Sequence, residues 1–289
     1  ENGYTFDEYE RLMNYVLSVA DALKCVELRK DKLNELEIKT IDQLLDDVAT
    51  GDDVLNNGFR TPLDEEKENA ANKPLIKTNG KIYAMPATIG SWGWFEALLT
   101  VVRNQEKDDK QKDIDKEVGK LIEYYINEKL DEKGITHCCG DYIPPAEGEA
   151  DLVVESTKGI MLFEMKKKSL TRKAKSGDTF KIMADLLGSL IDSQAQCFRT
   201  SHILIKDGHV DLDDGKGNMT RVEKQNRTAE CISVCLGAFG PLQDRMLIKC
   251  IMDEMCNKPM TAEYDGTDKQ TIKDVKKFNK DLQKWLTYL

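Results

Sequence analysis

The spacing of apolar positions changes period several times along the chain, and each change marks an element. Tyr9, Leu12, Tyr15, Val16, Val19, Ala22 and Leu23 recur at helical spacing behind Thr5-x-x-Glu8, a capping-box pattern, which predicts a helix within residues 5–30. A second helix is predicted from Thr40, with Gln43 in the box position, to near Gly51. Residues 51–75 are rich in Asp, Asn, Glu and Pro and predict an exposed connection; Asn79-Gly80, inside Lys77–Ala84, predicts a tight hairpin. Ile89–Leu99 carries two of the three Trp into a further helix. That stretch reads as a core cluster, with a base-stacking platform as the alternative. After the charged stretch Arg103–Glu117, the stripe Val118, Leu121, Ile122, Tyr125, Ile126 and Leu130 predicts an amphipathic helix ending before Gly134.

The pattern then shortens. Leu152-Val153-Val154 and Ile160–Phe163 flank Ser156-Thr157-Lys158-Gly159, which predicts a β-hairpin. With a loop symmetric about Thr157 and Lys158, Val153 faces Leu162, Asp151 faces Glu164 and Glu149 faces Lys166. Opposed residues share a face, so Glu149, Asp151, Glu164 and Lys166 project together. A loop of two or four residues keeps that register, whereas an odd loop separates the partners. Three carboxylates and an ammonium on otherwise apolar strands are costly unless paired or given a task. Beyond the hairpin, Phe180, Met183, Ala184, Leu187, Leu190, Ile191, Gln194 and Phe198 share one face of a helix predicted over 178–199. Strands are expected at His202–Lys206 and Cys231–Leu236, and helices over 242–255 and from Ile272 to Leu289. Asp211–Asn218 reads as a polar hairpin loop, because Gly215 and Val222 stand where a calcium loop needs an oxygen ligand and Glu.

Asp151, a turn, then Glu164-Met165-Lys166 resembles the core of the PD-(D/E)XK nuclease superfamily. Ala150 stands where that motif has Pro. The resemblance spans residues 112–255. It implies a restriction-endonuclease-like α/β fold, a mixed central sheet flanked by helices, with residues 89–289 as the nuclease-like domain and 1–88 as a mainly helical N-terminal extension. It also implies hydrolysis of phosphodiester bonds, most naturally of DNA, with Mg²⁺ or Mn²⁺ as cofactor. Asp151 and Glu164 would hold the metal together with the Met165 carbonyl, and Glu123 or Glu149 would complete the set. Glu123, in Gly119-Lys-Leu-Ile-Glu123, matches a Glu found before the hairpin in many of these nucleases; a boundary surface Glu is the other reading. Lys166 would orient water or stabilise the transition state. Gln194-x-x-x-Phe198 resembles the Gln-x-x-x-Tyr element of RecB-type members, with Phe for Tyr and Gln196 as a substitute. A catalytically silent nuclease-fold module that binds nucleic acid or protein is the alternative.

Composition narrows this further. The chain has 289 residues, 40% hydrophobic and 33% charged, as in a globular protein, and no apolar run approaches the roughly 20 residues of a membrane span. A net charge of −10 argues against general coating of nucleic acid but not against a local basic groove. Lys166–Lys175 holds six Lys or Arg and no acid, so Lys167, Lys168, Arg172 and Lys173 are candidates for substrate phosphates, a solvated helix start being the other reading. Eight Cys without a C-x-x-C pair, and no signal-peptide pattern, lead us to expect reduced thiols in a cytoplasmic, intracellular protein. The three His show no ligand spacing, which argues against a His metal site or a Ser-His-Asp triad.

Overall fold

The computed structural model describes residues 3–258 apart from 62–63, 65–66, 68–71, 106–107, 145–146 and 238, together with isolated positions between 273 and 283. The chain forms two compact units, Glu1–Asp115 and Lys116–Leu289. Each is mixed α/β, with a mixed sheet flanked by helices.

The first unit begins with α1 (Phe6–Val19), whose Thr5 and Glu8 form the reciprocal cap: Thr5 N donates to Glu8 Oε2 at 2.8 Å and Glu8 N to Thr5 Oγ1 at 3.3 Å. Tyr9, Leu12 and Val16 face inward at the expected spacing. Next come β1 (Val26–Glu27), α2 (Lys30–Asn34), α3 (Ile41–Val48), β2 (Ala49–Gly51), β3 (Leu75–Thr78), β4 (Lys81–Ala84) and α4 (Ala87–Gln105). Thr40 does not cap α3, since its hydroxyl donates to Gly3 O at 2.8 Å. The strands lie in the order β1-β4-β3-β2, with only β2–β3 parallel. The N-terminal region thus carries a four-stranded sheet beside its helices. Its strands are only two to four residues long, too short to leave a period in the sequence. Nor does the unit stop at residue 88. Trp94 and Ala97 of α4 are buried with Tyr9, Leu12 and Leu44, and the Tyr9 ring meets Trp94 edge-on at 5.7 Å. Trp94 is thus core, whereas the partly exposed Trp92 donates to Glu96 at 3.0 Å.

In the second unit α5 (Asp108–Glu132), which belongs to it from Lys116 onward, leads into β5 (His137–Tyr142), β6 (Glu149–Glu155) and β7 (Gly159–Lys166). Helices α6 (Arg172–Lys175), α7 (Thr179–Leu186) and α8 (Asp192–Asp207) follow, with a π-helical turn, Leu187–Ile191, between the last two. Then come β8 (His209–Asp213), β9 (Met219–Glu223), β10 (Thr228–Cys235) and α9 (Arg245–Asn257). The sheet order is β10-β7-β6-β5-β8-β9, and only β10 and β7 are parallel.

Both faces of the sheet are covered. Ile122 of α5 packs with Leu152, Val154 and Met165 on one face, and Cys197 and Leu204 of α8 pack with Val153, Ile160 and Leu162 on the other. This is why the hairpin strands read as continuous apolar runs. The strand expected at His202–Lys206 is instead the last turns of α8, whose buried positions Ala195, Ser201 and Leu204 keep helical spacing. The closing helix from Ile272 lies mostly outside the described residues. Among the described residues no helix is long and apolar enough to cross a membrane.

At the β5 irregularity Gly140 has φ +140°, and a β-carbon there would run into the Asp213 carbonyl of β8. Gly140→Ala is expected to cost about 3 kcal/mol, read as a lowered urea midpoint, because strained backbone and steric conflict add.

Candidate active site

The hairpin sets the geometry. Its ladder runs from Glu155↔Ile160 through Val153↔Leu162 to Leu152↔Phe163, around a four-residue loop in which Gly159 N donates to Ser156 Oγ at 3.0 Å. The ladder stops where the polar residues begin. The Met165 amide donates to Asp151 Oδ2 at 2.6 Å, so a carboxylate replaces a backbone acceptor just as the strands part. Glu149 is consequently not laddered to Lys166; its register partner is Asp141 of β5.

Glu164 follows on β7 and is 1% exposed. Burial, and then the Asp151 charge beside it, push its carboxyl up to about 9, while the Lys166 ammonium works in the opposite direction. Its Oε2 is buried and accepts no hydrogen bond among the described residues, and Lys166 Nζ stands 3.5 Å away. Lys166 donates to Gln196 Oε1 at 3.0 Å and lies 3.9 Å from Asp192 Oδ2, which accepts from Gln196 Nε2 at 2.8 Å. Glu123 of α5 joins the group electrostatically: burial, then the charges of Asp151 and Glu149, raise its carboxyl, and Lys166 lowers it. Glu149, Asp151 and Lys166 thus lie within electrostatic reach of Glu123, whereas Asp151, Glu164 and Lys166 are joined by direct contacts of the hairpin.

Gln194 is placed differently. Its amide donates to Ser233 Oγ of β10 at 2.7 Å, and Ser193 Oγ donates to the same hydroxyl at 2.5 Å. Gln196 is the glutamine that meets Lys166. The π turn before α8 changes the helical phase, so one 3.6-residue period carried over from α7 does not identify the contacting side chain. Asp192 was not evident from the sequence; its only signal is its place four residues before Gln196.

The basic run divides as well. Lys168 Nζ lies 3.3 Å from Asp185 Oδ1, and buried Asp185 also accepts from Thr171 N at 2.7 Å and Thr171 Oγ1 at 2.8 Å. Lys168 therefore fastens the segment after β7. Arg172 and Lys173 are exposed on α6, and Lys167 is half-buried. Met165 turns its side chain into the α5-side core.

Among the described residues no group of three or more His, Cys, Asp or Glu side chains forms a ready metal cage. The pair at the strand fork nevertheless has the right chemistry for a hard divalent cation. It offers a carboxylate oxygen on Asp151 and a buried Glu164 oxygen that accepts no hydrogen bond among the described residues and has only the Lys166 ammonium at 3.5 Å. Mg²⁺ commonly takes only one or two protein carboxylates, the rest being water and phosphate oxygens. The described cysteines are free thiols; Cys197 is fully buried against the Leu162 carbonyl at 3.3 Å, a packing role. No protein-family model, curated protein or solved structure matches the chain.

Proposed function

We propose that the second unit is a metal-dependent nuclease of restriction-endonuclease-like fold, acting on DNA with Mg²⁺ or Mn²⁺ in the cytoplasm. The observation that carries this reading is the buried, unsatisfied Glu164 oxygen beside Asp151, with the Lys166 ammonium within 3.5 Å of it. Asp151 and Glu164 would hold the cation, with Glu123 and Glu149 close enough in charge to adjust it. Such a cation would supply charge neutralisation at the phosphorus and a more acidic water. The Lys166 ammonium would donate toward the oxygens that gain charge at the reacting phosphate. Gln196 and Asp192 fix where that ammonium points.

The decisive experiment is a Mg²⁺ and Mn²⁺ panel against linear duplex, circular duplex, single-stranded DNA and RNA, with EDTA and Lys166→Ala as controls. Metal-dependent cleavage of DNA that disappears in the variant is the expected result. No metal-dependent cleavage of any of the four sinks the catalytic reading.

A second reading, a silent nucleic-acid-binding module, draws on one observation. With its carboxyl pushed up to about 9, Glu164 keeps its proton at neutral pH until a cation displaces it. Binding without turnover under both metals would favour that reading.

A further inference from the structure

Three residues past Gln196 on α8 stands Arg199. It is half-buried, and its Nε is shielded from solvent with no hydrogen-bond partner. No carboxylate is in ion-pair range of it among the described residues. Arg227 shows the usual arrangement: similarly enclosed, it pairs with Glu155 at 2.6 Å.

Arg199 is held in place all the same. Its guanidinium lies over the Tyr142 ring, 5.8 Å from the centroid. On another side it presses on Gly148, at φ +124°, where any β-carbon would strike it. The Tyr142 hydroxyl shares a 2.5 Å hydrogen bond with Thr200. Tyr142 also feels both charges: Glu164 raises its phenol and Arg199 lowers it, beneath a larger rise from burial. The Arg199 and Glu164 charges therefore act on the same tyrosine, and Arg199 also lies over its ring. A half-buried cation packed between Tyr142 and Gly148, with no acid in ion-pair range among the described residues, is suited to an anion, and a planar fork suits the paired oxygens of a phosphate.

We propose that Arg199 anchors the phosphate neighbouring the one that is cleaved, and so sets where the strand lies across Asp151, Glu164 and Lys166. This rests on the nuclease reading above.

The test compares wild type, Arg199→Gln and Arg199→Lys in two assays, with melting curves to establish folding. Binding of a fluorescein-labelled single-stranded oligodeoxynucleotide is followed by anisotropy in Ca²⁺ between about 50 and 200 mM salt; cleavage is followed in Mg²⁺ and Mn²⁺. For Arg199→Gln, Kd should rise about ten-fold and the slope of log Kd against log salt should fall by about one. The loss in kcat/KM should be carried by KM. Arg199→Lys keeps the charge but not the fork, so its salt slope should match wild type while Kd rises about three-fold; it decides the matter alone if the Gln variant does not fold. Wild-type Kd and slope in a folded variant, beside a wild type that cleaves, overturn the anchor and leave the nuclease reading intact. Weakened binding by the variants of a wild type that does not cleave keeps the anchor and removes the catalysis. Neither binding nor cleavage by wild type removes both.

Discussion

Lys166→Ala is expected to lower kcat for metal-dependent DNA cleavage by about a thousand-fold, the usual effect of removing a positioned proton donor or charge stabiliser. Part of that loss arises indirectly. The ammonium is the group that lowers the Glu164 carboxyl against burial and the Asp151 charge. Without it Glu164 holds its proton to still higher pH, so the residual activity should need a more alkaline medium and more metal. A purely steric defect predicts neither change. Gln196→Ala provides the graded comparison. It leaves the charge but removes the 3.0 Å acceptor that aims it, and should cost about 10- to 30-fold in kcat without moving the pH profile. The measurement is kcat against pH and against Mg²⁺ for wild type and both variants. A Lys166→Ala profile that keeps the wild-type shape at lower amplitude would show that Glu164 is not coupled to this ammonium.

The sequence carried the hairpin in detail because its determinants are local. Apolar runs of matching length and an even-numbered Ser156–Gly159 loop leave one register that keeps Asp151 and Glu164 on a shared face. Where neighbours in space decide, the sequence misleads. Ile203 and Ile205 favour a strand, yet Leu204 is buried against the sheet in a helix that began at Asp192. The first unit's four-stranded sheet is built from segments as short as Val26–Glu27, which no periodicity can reveal. The contact of Lys166 with Gln196 rather than Gln194 depends on one π turn. Arg199 becomes noticeable only once the β5–β6 connection carries Gly148 against it.

Glu164→Gln should separate stability from function in opposite directions. In the unfolded chain the carboxyl titrates near its ordinary value of 4.5, whereas in the folded protein burial and Asp151 push it up to about 9. Below the lower value both states carry the proton, and the folded state loses nothing. As pH rises between the two, the unfolded carboxyl ionises while the folded one keeps its proton, so metal-free stability falls throughout that window. The loss should be on the order of several kcal/mol by pH 8.5, since each pH unit of the gap is worth about 1.4 kcal/mol before local relaxation. Glutamine keeps the shape of the protonated acid, and its amide can donate to Asp151, so the variant should hold a nearly constant urea midpoint from pH 5.5 to 8.5 in EDTA. It should also be the more stable protein at the alkaline end. Mg²⁺ should restore the wild type at pH 8.5, because a cation offsets the charge that burial penalises, and should leave the variant unmoved while cleavage falls by at least about a thousand-fold. The readout is four urea titrations for each protein, at two pH values with and without Mg²⁺. A wild type whose metal-free midpoint does not fall between pH 5.5 and 8.5 would mean that Glu164 ionises freely, and the strand fork would lose its reason to bind a cation.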